Sequence, residues 1–179
     1  MKRESTFSPA KPIVLIGLMG AGKTCVGRRL AKALDIPFID ADEEIVAAAG
    51  CSIPEIFARF GEPDFRSGER KVIARLLESG PCVLATGGGA FMDVETRALI
   101  RDQGISVWLR AGLDLLFHRT SNGRRDRPLL DNGDPRATLE KLMQIRYPVY
   151  AEADVVVDSL DEPPETTAER VLTALENRR

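Results

Sequence analysis

Sulfur and imidazole are scarce in this chain. Its 179 residues include three cysteines and one histidine. Cys25, Cys51 and Cys82 are odd in number, widely spaced and without a CxxC pair, which argues against a disulfide framework and against a structural zinc site. His118, alone and with no evident acid or nucleophile partner, reads as structural or exposed. Long apolar runs are missing as well. No segment approaches a membrane span, and the opening MKRESTFSPAKP carries basic residues but no apolar stretch of the length a secretory signal needs. The expectation is a cytoplasmic protein with no membrane partner. An excess of one charge is also absent: the net charge is −2 and the pI about 5.6, so there is no general affinity for nucleic acid and any basic site must be local. Internal repeats and low-complexity tracts are absent too. What remains is a chain that is 44% apolar and long enough for one domain with a substantial core.

The most informative stretch is IVLIGLMGAGKTCVGR, residues 13–28. Gly17 and Gly22 frame a loop, Lys23 follows and Thr24 closes a G-x-x-x-x-G-K-T pattern. Glycines at 17, 20 and 22 permit backbone angles and close approaches that let successive amide N–H groups face phosphate oxygens. Lys23 would lie against the β- and γ-phosphates, and the Thr24 hydroxyl would help to hold Mg²⁺. Ala21 and Cys25 complete the candidate ATP-binding set. An ordinary glycine turn is the bland alternative. The context speaks against it, because residues 13–16 read as a buried strand, and Val26, Leu30, Ala33 and Leu34 recur at helical spacing after it.

Beyond this loop the chain alternates. Residues 37–39 read as a second strand delivering Asp40 and Asp42 at its carboxyl end, and a helix through Ile45, Val46 and Ala49 stops at Gly50. Ser52 to Glu55 form a capping box that starts a helix carrying Ile56, Phe57 and Phe60 inward. Gly61 and Pro63 interrupt it, and a further helix spans Phe65 to Leu77. Residues 82–85 make a third strand, running into Thr86-Gly87-Gly88-Gly89. Helix, strand at 105–109 and helix follow. Residues 120–134, TSNGRRDRPLLDNGD, have no helical period, and a loop of that length is more often functional or disordered than a plain connection. A helix around Leu139 to Arg146, a strand at 154–157 and a closing helix complete the chain. Residues 1–11 are polar and read as a flexible extension.

Four constellations can carry chemistry. Alternation along an extended segment would point Asp40 and Asp42 the same way, one toward Mg²⁺ and one toward a substrate hydroxyl, with helix capping as the equal alternative. Gly87, Gly88 and Gly89 weaken any regular element, so a close approach of backbone to ligand or a bare sharp turn accounts for them. Arg66, three residues before Glu69, and Arg146, amid Tyr147 and Tyr150, are candidate anion contacts or plain surface arginines. Arg119, Arg124, Arg125 and Arg127 make the long loop positive, suited to closing over phosphates or to lying solvated.

Taken in order, the P-loop, FIDAD, FRSGE, TGGG, RPLL and IRYPVY segments resemble the shikimate kinase family, and the resemblance runs from about residue 13 to the last helix. It implies an α/β, three-layer αβα P-loop fold with a central five-stranded parallel sheet and a mobile lid. Residues 12–179 would form a single kinase domain, with a substrate-binding region at about 40–70 and a lid at about 119–134. It implies ATP-dependent phosphorylation of the shikimate 3-hydroxyl, with Mg²⁺ as cofactor, in a monomer. By the same resemblance, Asp42 binds the substrate hydroxyls and accepts the proton, and Asp40 reaches Mg²⁺ through water. Arg66, oriented by Glu69, and Arg146 grip the substrate carboxylate. Gly87, Gly88 and Gly89 bind substrate, Gly88 and Gly89 through their N–H groups. Arg127 reaches the phosphates, and Arg119 stacks on adenine. The rivals are a gluconate or nucleoside monophosphate kinase and a noncatalytic nucleotide-binding module. A phosphorylated acceptor would ask for more basic residues outside the lid than these two arginines.

Overall fold

A computed structural model describes residues 7–122 and 133–178. Its centre is a parallel five-stranded sheet of β1 (Ile13–Ile16), β2 (Phe38–Asp40), β3 (Val83–Ala85), β4 (Ile105–Arg110) and β5 (Val155–Asp158), in the order β2-β3-β1-β4-β5. The central strands β1 and β3 are buried at every position, because helices flank the sheet and leave neither face of these apolar runs to water. At one edge β5 alternates instead, with Val155 and Val157 buried and Val156 and Asp158 exposed.

The helices among the described residues are α1 (Lys23–Leu34), α2 (Ala41–Ala49), α3 (Ile53–Leu77), α4 (Val94–Gln103), α5 (Leu113–Ser121), α6 (Pro135–Tyr150) and α7 (Pro164–Glu176), with a 3₁₀ turn at Ala90–Met92. Helix α1 packs on the sheet through Val26, Gly27, Leu30 and Ala31. The stripe is rotated from the expected one: Ala33 is exposed and Leu34 half-buried. Contact at Gly27 explains the rotation, since a Cβ there would come within 2.6 Å of the Phe38 ring, so the helix axis lies close against β2.

Helix α3 begins at the expected capping box, in which Ser52 Oγ accepts from Glu55 N at 3.3 Å and Ser52 N donates to Glu55 Oε2 at 2.9 Å. It bends at Gly61, whose φ of 80° and ψ of 172° are non-helical. After the bend, Phe65, Val72, Ile73, Leu76 and Leu77 form the apolar stripe. Before it only Ile56 is buried. Phe57 and Phe60 are 37% and 58% exposed, contrary to the inward placement read from the sequence. The bend changes the direction of the helix, and the second apolar ridge of this first segment stays partly open, with Phe57 packed against Phe65 alone among the described aromatic rings. Residues 7–11 also differ from expectation. Phe7 packs against the core, Pro9 is buried and Lys11 Nζ donates to Asp102 O at 2.9 Å.

Strand order decides where chemistry can occur. Because β3 and β4 flank β1, the loop leaving β1 lies between the loops leaving β3 and β4, all at the carboxyl edge where parallel sheets bind ligands.

Candidate active site

The loop after β1 turns through Gly17, Gly20 and Gly22 with φ of 154°, 84° and 97°. At Gly20 and Gly22 these are left-handed angles that side chains rarely adopt, which is what the glycine spacing required. Helix α1 starts without a side-chain cap, so its first N–H groups face into the loop as an anion site. Lys23 Nζ lies across the loop, donating to Gly17 O at 2.7 Å and Leu18 O at 3.1 Å. Thr24 is half-buried in the first turn, Ala21 is buried and Cys25 is exposed.

The outer side of the loop is tied down by residues far away in sequence. Arg119 donates to Gly20 O at 3.1 Å, Ala21 O at 3.4 Å, Ser159 Oγ at 3.1 Å and Leu160 O at 2.7 Å. Ser159, buried, donates to Ala21 O at 2.8 Å. Two loop carbonyls are thereby turned outward. In a trans peptide the following N–H points the opposite way, and that of Ala21 donates across the loop to Leu18 O at 3.0 Å.

The acceptor side is organised by the three glycines after β3. A Cβ on Gly87 would sit 3.0 Å from Asp42 Oδ1 and 3.5 Å from Glu69 Oε2. On Gly88 it would meet Arg146 Nη1 at 2.8 Å and Gly17 O at 3.5 Å, and on Gly89 it would overlap the Arg66 guanidinium. Among the three, none has a left-handed φ. The glycines are therefore required for space, and the protein's own charged side chains occupy that space. Asp42, Glu69, Arg66 and Arg146, drawn from three helices, meet on this one short platform, which abuts the P-loop at Gly17.

The structure corrects the expected geometry of the aspartates. Asp40 and Asp42 do not alternate along a strand, because β2 ends at Asp40 and α2 starts at Ala41, changing the period from 2 to 3.6. Asp40 is the N-cap, its Oδ1 accepting from Asp42 N at 2.9 Å and Glu43 N at 3.4 Å, which is the capping alternative. Asp42, in the first turn of the helix, is the carboxylate that faces Gly87.

Glu69 is only 1% exposed, although it occupies a position in the apolar stripe of α3. Burial raises its pKa, opposed by Arg66, whose Nη1 donates to Glu69 Oε1 at 2.7 Å. The same guanidinium lies 5.1 Å from the Phe65 ring, which in turn stacks on Phe57 at 4.5 Å. These two rings form an apolar wall beside the charges. Below the platform, Arg70 holds Asp93 through two bonds of 2.9 Å, and Asp93 caps α4 by accepting from Thr96 N at 2.9 Å. Arg97 donates to Phe91 O at 2.8 Å. Ser159, Asp93 and Tyr150 are supporting residues that the sequence does not single out. Their only local signal is the aromatic setting of Arg146.

Among the described residues, no group of three or more carboxylate, imidazole or thiol side chains converges as a metal cage. The Thr24 hydroxyl at the loop and the carboxylates of Asp40 and Asp42 are the candidate oxygen donors. Such a sparse set fits Mg²⁺ brought in with nucleotide phosphates, since Mg²⁺ keeps several waters and takes few protein ligands. Arg124, Arg125 and Arg127 lie outside the described residues.

A family model described as shikimate kinase matches residues 19–176. A shikimate kinase of Paramagnetospirillum magneticum is 61% identical over 165 residues, covering 92% of this chain and 84% of the relative. One of Caulobacter vibrioides is 58% identical, covering 93% and 82%. Among solved structures, shikimate kinase from Acinetobacter baumannii in complex with shikimate superposes with a TM-score of 0.91 at 37% identity, over 97% of each chain.

Proposed function

The chain belongs to the shikimate kinase family, and from that premise we propose which of its residues carry the transfer. The enzyme is an ATP-dependent kinase that phosphorylates the 3-hydroxyl of shikimate, giving shikimate 3-phosphate and ADP on the route to chorismate and the aromatic amino acids. The rival acceptors, gluconate and nucleoside monophosphates, fall away with the family assignment.

Loop amides between Gly17 and Cys25, Gly20 and Gly22 included, cradle the phosphates, with Ala21 holding the turn through its N–H to Leu18 O, and Lys23 exchanges its carbonyl partners for the β- and γ-phosphate oxygens. Arg119, fixed at its edge by the loop carbonyls, offers its planar face to adenine. Arg66 and Arg146 grip the shikimate carboxylate, since two guanidinium forks match one carboxylate in charge and geometry. Glu69 orients Arg66, and the N–H groups of Gly88 and Gly89 fix the ring in the crevice formed with Gly87. Asp42 accepts the hydroxyl proton. As the oxygen–phosphorus bond forms, the bond from the γ-phosphorus to the bridging oxygen breaks and ADP leaves. Arg127, in the lid expected at about 119–134, would reach the phosphates; the first of those residues, Arg119 to Ser121, belong to the end of α5. Thr24, and Asp40 through water, would hold Mg²⁺, which would supply neutralisation of phosphate charge.

The observation that carries this reading is the convergence of Asp42, Arg146 and Arg66 on Gly87, Gly88 and Gly89, with Gly88 against the P-loop at Gly17. Residues 12–179 act as one kinase domain with a substrate-binding region at about 40–70, as a monomer in the cytoplasm. No helix among the described residues is long and apolar enough to cross a membrane. Arg146→Ala should weaken shikimate binding by about 1.5–3 kcal/mol, the scale of a charged hydrogen-bond pair, with ATP affinity little changed. Calorimetric titration of each substrate decides it: an equal loss for ATP would remove Arg146 from the carboxylate clamp.

A further inference from the structure

Tyr150 is fully buried, yet it carries a hydroxyl that reaches the acceptor platform. Its ring closes an aromatic cage at the C-terminal end of α6, with the Trp108 ring centroid 5.8 Å away, Tyr147 at 6.1 Å and Phe91 at 6.5 Å. The neighbouring Tyr147, three residues earlier on the same face, anchors the helix as well, its hydroxyl donating to Ala111 O at 2.5 Å. Held this way, the Tyr150 hydroxyl donates to Gly88 O and has the Arg146 guanidinium beside it, whose positive charge opposes the rise that burial gives its pKa. A phenol has one proton to give and lone pairs to receive, so with its proton on the carbonyl its oxygen is left to face the guanidinium. Both groups belong to the proposed shikimate site, and the hydroxyl lies 3.7 Å from the point where a Gly88 Cβ would be, beside Arg146 Nη1.

The direction of the Gly88 carbonyl has a consequence one bond further on. Gly88 C=O and Gly89 N–H share one trans peptide plane and point in opposite directions, so a donor that holds the carbonyl also aims the N–H. Ala90 N and Met92 N are taken by Gly87 O and Gly89 O, whereas no backbone carbonyl outside the helices and strands takes Gly89 N among the described residues. Burial also pushes the phenol pKa up, which keeps it a neutral donor at physiological pH.

We propose that Tyr150 is a positioning residue of the acceptor site, setting with one hydroxyl both the aim of the Gly89 N–H and the orientation of the Arg146 guanidinium. This rests on the reading that Arg146 and the glycine platform face shikimate. The test is Tyr150→Phe, which keeps the ring in its cage and removes only the hydroxyl. Emission from Trp108, the sole tryptophan of the chain, verifies that the cage is intact. The expected result is a rise of about tenfold or more in KM and Kd for shikimate, from a buried carbonyl left without its donor, with KM for ATP changed by less than about twofold. Unchanged shikimate constants in the Phe variant would overturn the proposal, and so would equal losses for shikimate and ATP, which a merely structural role would give. Arg146→Ala measured in parallel separates the two levels. If it raises the shikimate KM while Tyr150→Phe does not, only the role of Tyr150 fails. If neither moves it, the carboxylate clamp itself fails.

Discussion

At Gly89 the cost of a methyl group can be separated from the cost of a strained backbone. Its φ of −91° and ψ of −11° suit alanine, yet a Cβ would fall within the Arg66 guanidinium. Gly89→Ala should therefore cost stability only through Arg66, which it displaces from the buried Glu69 carboxylate, and not through backbone strain. The expected outcome is a shikimate KM raised by about tenfold or more at a nearly constant ATP KM, read from steady-state kinetics beside a melting curve. A large loss of Tm with unchanged KM would show that the glycine serves the fold instead. The same residue shows how far single positions were legible. Three glycines after a strand were visible as an oddity, but their reason lay in side chains brought from elsewhere, and a sequence does not display that juxtaposition. Tyr150 and Ser159 were illegible for the same reason, being separated from the carbonyls they hold by 62 and 138 residues. Glu69 did leave a trace, as a carboxylate in an otherwise apolar helical stripe.

Among the elements, α3 and α4 carry the support beneath the platform. Gly61 bends α3 at a backbone conformation almost confined to glycine, and the one atom within 4 Å of where a Cβ would stand is Pro63 Cδ, at 3.8 Å. Strain, and not crowding, should dominate Gly61→Ala, lowering stability by about 1–3 kcal/mol in denaturant unfolding. An unaffected midpoint would mean that the bend relaxes freely. The link from α3 to α4 is pH-sensitive. The Arg70 hydrogen bonds hold the Asp93 carboxyl at about 2, below its ordinary 3.8. A folded pKa below the unfolded one gives stability that is present above about pH 4 and lost as pH falls toward 2. After allowance for solvent screening this is about 1 kcal/mol. Asp93→Asn keeps a helix cap but loses the charge, so its deficit against the wild type should be largest at pH 7 and shrink below pH 4. A deficit independent of pH would assign the effect to capping alone. Helices and strands were legible where apolar periodicity was strong and glycine or proline marked the ends. At Asp40 to Asp42, where a strand passes into a helix without a loop, the capping alternative held and the strand alternation did not, and the inward placement failed at Phe57 and Phe60, which the bend leaves partly exposed.

For the whole molecule, alternating strands and helices implied a parallel sheet, but not the order of its strands. That order juxtaposes the loops after β1 and β3, so the phosphate loop and the acceptor platform meet at Gly17 and Gly88. Local patterns predict elements, whereas strand neighbours depend on long-range pairing that single-sequence periodicity does not encode. Reading several motifs in one order supplied what periodicity alone could not, namely that separated segments serve one site. The central claim is that this site couples ATP to one carboxylated polyol. Its most direct test is a coupled ADP-release assay with MgATP and shikimate, quinate, gluconate, AMP or no acceptor. ADP release that depends on shikimate, with gluconate and AMP inert, is the predicted result. Turnover with gluconate or AMP in place of shikimate, or silence with every acceptor from folded ATP-binding protein, would contradict it.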